Sequence, residues 1–134
     1  MRKLITIFLI NIILGVKILA VPANPNPIKY SLPDGTKITI TLKGDERIRW
    51  ATSEDGYTLL LNKDGYYEYA VHDEKGNLVL SGKRAKNITE RSRKDNRFLK
   101  KIQKDLFFSS EQVENKQKRF EMPILIEKQL EKSN

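Results

Sequence analysis

The 134-residue sequence has no cysteine, a single histidine and a single tryptophan. Without cysteine there is no disulfide framework and no thiolate, so the fold must be held by its apolar core alone. The lone His72 excludes the two histidines of a His-Glu-x-x-His zinc helix, and one imidazole without cysteine partners makes a poor metal or triad site. It reads as an ordinary residue at a strand end. Glycine is absent after Gly82, which confines glycine-dependent turns to the first part of the chain. No uninterrupted apolar run reaches the roughly 20 residues that span a bilayer.

What is present begins with a secretory leader. Met1-Arg2-Lys3 is a short basic region, Leu4 to Val16 is an almost unbroken apolar run, and Ala20 or Ala23 offers the small residue at which cleavage is expected, Ala20 being preferred. The expectation is bacterial export, to the medium, the periplasm or the cell surface, with no stable membrane anchor once residues 1–20 are removed. Residues 21–27, VPANPNP, hold three prolines and form an extended lead-in. The net charge of +8 is unevenly placed: residues 21–82 carry 7 Lys/Arg against 9 Asp/Glu, and residues 83–134 carry 15 against 8. A near-neutral module therefore precedes a basic tail.

From Ile28 the chain alternates strand patterns with turn signals. Strands are expected over Ile28–Leu32, Thr36–Leu42, Arg47–Thr52, Tyr57–Asn62, Tyr66–Val71 and Leu78–Leu80, separated by Pro33-Asp34-Gly35, Lys43-Gly44-Asp45-Glu46, Glu54-Asp55-Gly56, Lys63-Asp64-Gly65 and Asp73-Glu74-Lys75-Gly76-Asn77. Gly supplies the positive φ such turns need. The apolar members of these strands, Ile38, Ile40, Leu42, Ile48, Trp50, Leu59, Leu61, Tyr67, Tyr69 and Val71, recur with period two and are expected to face one apolar layer. From Lys83 the composition turns helical. Ser92 with Asp95 is a capping pair, and Phe98, Leu99, Ile102 and Leu106 form one stripe at helical spacing. A second, weaker helix is expected from Ser109 or Ser110, ending before Pro123. The fold class is α+β, an antiparallel meander of about six strands over residues 28–82 followed by one or two amphipathic helices in a basic segment, residues 83–122, with a tail over 123–134.

No constellation for chemistry stands out. Asp45, Glu46, Glu54, Asp55 and Asp64 sit at turn tips, where water keeps carboxylate pKa values ordinary and turn hydrogen bonding explains the residue type. The turns lack the spaced oxygen ligands of a calcium loop. The Lys/Arg run from Lys83 to Lys104 reads as the solvated face of an amphipathic helix, because Glu90, Asp95 and Asp105 interrupt it; nucleic acid is not an expected partner. Asn87-Ile88-Thr89 matches the glycosylation acceptor pattern.

Taken together, the lead-in VPANPNPI, the hairpin segment PDGT, LKGDE with Trp50 four residues after Glu46, TSEDGYTLL and KDGYYEYA closely resemble the N-terminal propeptide region of secreted bacterial zinc metalloproteases of the immune-inhibitor-A type. The likeness covers about residues 20–110. It implies a β-rich segment, non-catalytic as it stands, that assists folding or latency of a zinc catalytic domain in cis or in trans, either as a truncated protease remnant or as a stand-alone relative. The sequence ends at Asn134, where that family continues into its catalytic domain, so no zinc ligand or catalytic residue carries over and no cofactor is expected. Structural or interaction roles fall to Trp50, Tyr57, Tyr67, Tyr69, Gly44, Gly56 and Gly65. Leu42-Lys43-Gly44-Asp45 is also similar to the Phe-x-Gly-Asp segment with which propeptides of other zinc endopeptidases place an Asp on the metal, making Asp45 a candidate latency ligand. The other function class is a secreted adhesion or surface-binding module that uses the basic helix.

Overall fold

The computed structural model describes residues 26–132, so the leader and most of the proline-rich lead-in lie outside the described residues. Six strands form one antiparallel sheet in sequence order: β1 (Ile28–Ser31), β2 (Lys37–Gly44), β3 (Arg49–Ser53), β4 (Thr58–Leu61), β5 (Tyr67–His72) and β6 (Leu78–Arg84). Four of the five turns share one design. At Leu32, Ser53, Asn62 and Asp73 the residue's N–H reaches the carbonyl four residues on, and its own carbonyl accepts from the glycine three residues on. Only the glycine takes a positive φ, so these are three-residue loops closed by a glycine bulge, a form that keeps the right-handed strand twist.

The expected meander and its helices are present, but the single apolar layer is not. Leu42, Ala51, Leu59 and Tyr69 are cross-strand partners on one face, whereas Trp50, Leu60, Ala70 and Leu78 occupy the other. Each face buries its own cluster. The first is built on Ile38, Ile40, Leu59, Tyr67 and Tyr69 with Leu99 over it, and the second on Ala70, Leu78, Leu106 and Phe108 with Trp50 beside them. Leu42 and Leu61, expected inside, are 41% and 49% exposed; they sit toward the strand ends, past the reach of the covering segment.

The C-terminal segment supplies both covers. β6 runs to Arg84 rather than stopping at Leu80, and within it an irregularity opposite Tyr69 is accommodated by Gly82 at φ 74°, with its N–H donated to Glu68 Oε2 at 2.8 Å. A 3-10 turn (Ile88–Glu90) then leads to α1 (Arg93–Leu99), opened by the expected Ser92/Asp95 capping box. The helix does not continue to Leu106. Residues 100–105 instead carry the chain round the end of the sheet, where the Asp105 N–H donates to the Gly56 carbonyl at 3.0 Å and Asp105 itself is left-handed at φ 52°. Leu99 and Leu106 thus lie on opposite faces of the sheet despite their helical spacing.

The last helix, α2 (Ser110–Lys132), starts where expected but runs through Pro123 instead of ending before it. Proline removes one helical N–H and crowds the carbonyl of the preceding turn, which weakens that turn without forbidding helix on either side. Ser109 and Gln112 exchange side-chain-to-backbone bonds at its start, at 3.2 and 3.1 Å. Among the described residues no helix is long and apolar enough to cross a membrane.

Two side-chain amides complete the sheet where strands run out. Asn87 accepts from the Thr39 N–H at 2.8 Å and donates to the Lys37 carbonyl at 2.9 Å, taking the place β3 leaves empty beside β2. Gln112 does the same for both backbone groups of Leu78, at 2.8 and 2.9 Å. Because the Asn87 amide nitrogen also donates to Glu90, the glycosylation pattern is tied into the folded backbone.

Candidate functional site

Three of the residues singled out from sequence, Tyr57, Tyr69 and Gly56, meet at the end of the sheet formed by the β3–β4 turn, Ser53-Glu54-Asp55-Gly56-Tyr57. There Arg91, from the loop before α1, donates Nη1 to Asp55 Oδ2 at 2.6 Å and Nη2 to Asp55 Oδ1 at 2.8 Å, and its Nε to the Lys86 carbonyl at 3.3 Å. The guanidinium lies 5.8 Å from the ring centres of both Tyr57 and Tyr69. Its side chain is 3% exposed and that of Asp55 24%. The two-pronged bond from Arg91, helped by the Ser53 hydroxyl at 2.8 Å, lowers the Asp55 pKa to about 2. This corrects the expectation that a turn-tip position leaves Asp55 ordinary: the two-pronged, charge-assisted bond favours the carboxylate and outweighs the opposing effect of its partial burial. So held, Asp55 is a poor proton acceptor near neutral pH, and its role is to brace.

The tyrosines work at the same seam. Tyr57 donates its hydroxyl to the Leu99 carbonyl at 3.2 Å, tying the turn to the end of α1. The Tyr69 hydroxyl donates to the Lys86 carbonyl and accepts from the Lys86 N–H, at 3.3 and 3.2 Å. Their rings meet edge-on with centroids 6.0 Å apart. Thr58 Oγ1 donates to the Leu106 carbonyl at 2.7 Å just after the chain has rounded the end of the sheet. Gly56, at φ 92°, lies close against this crossing segment. Tyr67 is buried away from the seam, edge-on to Tyr30 at 5.1 Å, and burial raises its pKa.

A second charge cluster braces the other side of α1. Asp95, nearly fully buried, accepts from the Ser92 N–H and from Lys86 Nζ at 2.8 and 3.0 Å and faces Lys83 Nζ at 3.1 Å. The Ser92 backbone bond, then Lys86, hold its pKa well below the usual carboxylate range. Arg84 lies 3.5 Å from the centre of the Tyr66 ring and pairs with Asp34 at 3.1 Å. The basic run is therefore not one solvated face: Lys83, Arg84, Lys86 and Arg91 precede the helix and are ion partners within the fold.

The remaining candidates are scattered. Trp50 lies on the opposite face from Tyr57 and Tyr69, half-buried and edge-on to Phe107 at 4.9 Å. Gly44 has φ 95°, and a Cβ there would collide with the Ile48 carbonyl oxygen. Gly65, at φ 84°, would place a Cβ 3.0 Å from Pro33. Asp45 Oδ1 accepts from the Arg47 and Ile48 N–H groups at 2.9 and 3.0 Å, and these bonds, Ile48 first, lower its pKa. Glu46, Glu54 and Asp64 are exposed. His72 Nε2 donates to the Phe107 carbonyl at 2.9 Å, beside a shallow cleft of about 320 Å³ that Lys101, Gln103 and Leu106 help to line. Among the described residues no three His, Cys, Asp or Glu side chains are grouped to hold a metal ion. Sequence reasoning found Asp95 as the capping partner of Ser92 but missed its ion pairs with Lys83 and Lys86 and the Arg91–Asp55 pair; Asp55 lies 36 residues from Arg91, and no local periodicity marks such a pair.

No protein-family model, curated protein or solved structure matches this chain.

Proposed function

We propose that the chain is a secreted, non-catalytic propeptide-like domain that assists folding or maintains latency of a zinc metalloprotease catalytic domain, in cis or in trans. One observation carries this reading. The stretches that resemble the propeptide region, SEDGY and KDGYYEYA, are the ones that lock the sheet to residues 85–108 through the Asp55–Arg91 pair and the Tyr57 and Tyr69 hydroxyls. They brace a preorganised body without disulfide support, as a template for another chain requires; preorganisation lowers the ordering cost of binding.

The test is refolding of a denatured immune-inhibitor-A-type catalytic domain with and without an excess of this chain, followed by casein hydrolysis. A higher yield of zinc-dependent activity, or inhibition of the folded protease, is the expected result. No change in either yield or activity refutes the proposal. Latency through Asp45 is tested with Asp45→Asn beside Asp45→Ala, because Asn keeps the acceptor for Arg47 and Ile48 while losing the charge. Inhibition lost in both variants supports metal ligation; inhibition kept in Asp45→Asn assigns Asp45 to the turn.

A further inference from the structure

Charges on the outer side of α1 are not consumed by the fold. Arg93, Lys94, Arg97, Lys100 and Lys101 are all exposed, and none has an ion-pair partner among the described residues. Their spacing follows the helical turn: Arg93 and Arg97 are one turn apart, Lys94 lies a turn from Arg97, and Lys100 and Lys101 continue the row past the helix end. The inward side holds Leu99, half-buried Phe98, and Asp95, whose charge is already met by Lys83 and Lys86. The outer side thus carries five exposed cations with no carboxylate of its own to offset them, Lys101 at the rim of the cleft beside His72.

Its shape narrows the partner. No large apolar side chain between Arg93 and Lys101 is exposed, so the row has nothing to insert into a hydrocarbon layer. Single-stranded nucleic acids are bound in grooves with aromatic platforms, and α1 presents neither. A row of exposed, flexible cations without a groove or aromatic platform suits a flat, dense array of phosphates. We propose that α1 is an electrostatic docking surface for an anionic phospholipid bilayer, holding the exported chain reversibly at a membrane face. This goes beyond the protease-directed reading and does not depend on it.

Each Lys or Arg near such a surface contributes about fivefold to binding, and the attraction fades as salt shortens the screening length from about 10 Å at 0.1 M to about 3 Å at 1 M. The experiment is cosedimentation of the chain without residues 1–20, which retains every described element, with vesicles of equal parts phosphatidylglycerol and phosphatidylcholine or of phosphatidylcholine alone. Binding is expected to the first only, to be released by high salt, and to weaken about 25-fold in Arg97→Gln/Lys101→Gln. Thermal unfolding of that variant should match the parent, because both side chains are exposed and unpaired. Equal binding to neutral vesicles, or undiminished binding by the folded variant, overturns the proposal. So does complete displacement by a soluble glycerol-phosphate polymer at matched phosphate, which reassigns the row to free phosphate chains, or tighter binding to single-stranded DNA.

Discussion

Asp55→Asn isolates what the charged form of the seam contributes. Pairing with Arg91 lowers the Asp55 pKa from 3.8 to about 2, and at about 1.4 kcal/mol per pKa unit this amounts to about 2 kcal/mol of pH-dependent stability. Since the folded-state value is the lower one, the contribution is complete above about pH 5 and is lost progressively as pH falls through about 2. The variant lacks it at every pH, so the two proteins should differ most at neutral pH and converge in acid. Urea unfolding followed by fluorescence of Trp50, the only tryptophan, measures both. The other carboxylates with lowered values, Asp34, Asp45, Asp73, Asp95 and Glu114, titrate in both proteins and cancel in the difference. A gap that stays constant from about pH 7 to about pH 2 would refute the reasoning, because it would mean that the Arg91 contact does not depend on the carboxylate charge.

Gly44→Ala should lower stability by more than about 2 kcal/mol, since an L-residue at φ 95° is strained and its Cβ meets the Ile48 carbonyl; an unchanged melting temperature contradicts this. Trp50→Ala should cost about 2 kcal/mol, less than for a fully buried ring, because only part of the indole is covered by Phe107 and its neighbours; a near-zero shift in urea midpoint would make it a surface contact. Asn87→Asp keeps the acceptor for Thr39 but sets a carboxylate against the Lys37 carbonyl. It should cost about 1–3 kcal/mol, whereas a neutral effect at pH 7 would show that the amide does not substitute for a strand.

The sheet was legible because its turns are written locally. Pro33-Asp34-Gly35, Asp55-Gly56 and Asp64-Gly65 each fix a positive-φ position, and the strands between them follow. Burial was less legible. Period-two alternation tells which residues share a face, but a meander covered on both sides buries both sets, so Trp50 and Leu60 alternate out of phase with Leu59 and Tyr69 and are still packed. The stripe Phe98, Leu99, Ile102, Leu106 misled for a related reason: its spacing suits a helix, yet the last member is reached by a chain crossing from one face to the other. Of the seam, the tyrosines were foreseen as structural, while the Arg91–Asp55 pair was read as a solvated cation and a turn-tip acid.

The separation along the chain of the seam's bonds sets an order of events. Every strand pairs with its immediate neighbour in sequence, so the hairpins can close as soon as each turn exists, and loop closure that local is fast. The bonds that join Asp55 to Arg91, Tyr57 to Leu99 and Thr58 to Leu106 span 36, 42 and 48 residues. Until Leu99 has left whatever channel delivers the chain the first apolar face of the sheet is without its cover, and the second waits for Leu106 and Phe108. A polypeptide emerging N-terminus first would pass through a stage with paired strands and wet tyrosines, open to capture by a chaperone or a neighbouring sheet, and would leave that stage only when the segment carrying Arg91 to Phe108 wraps round the β3–β4 turn.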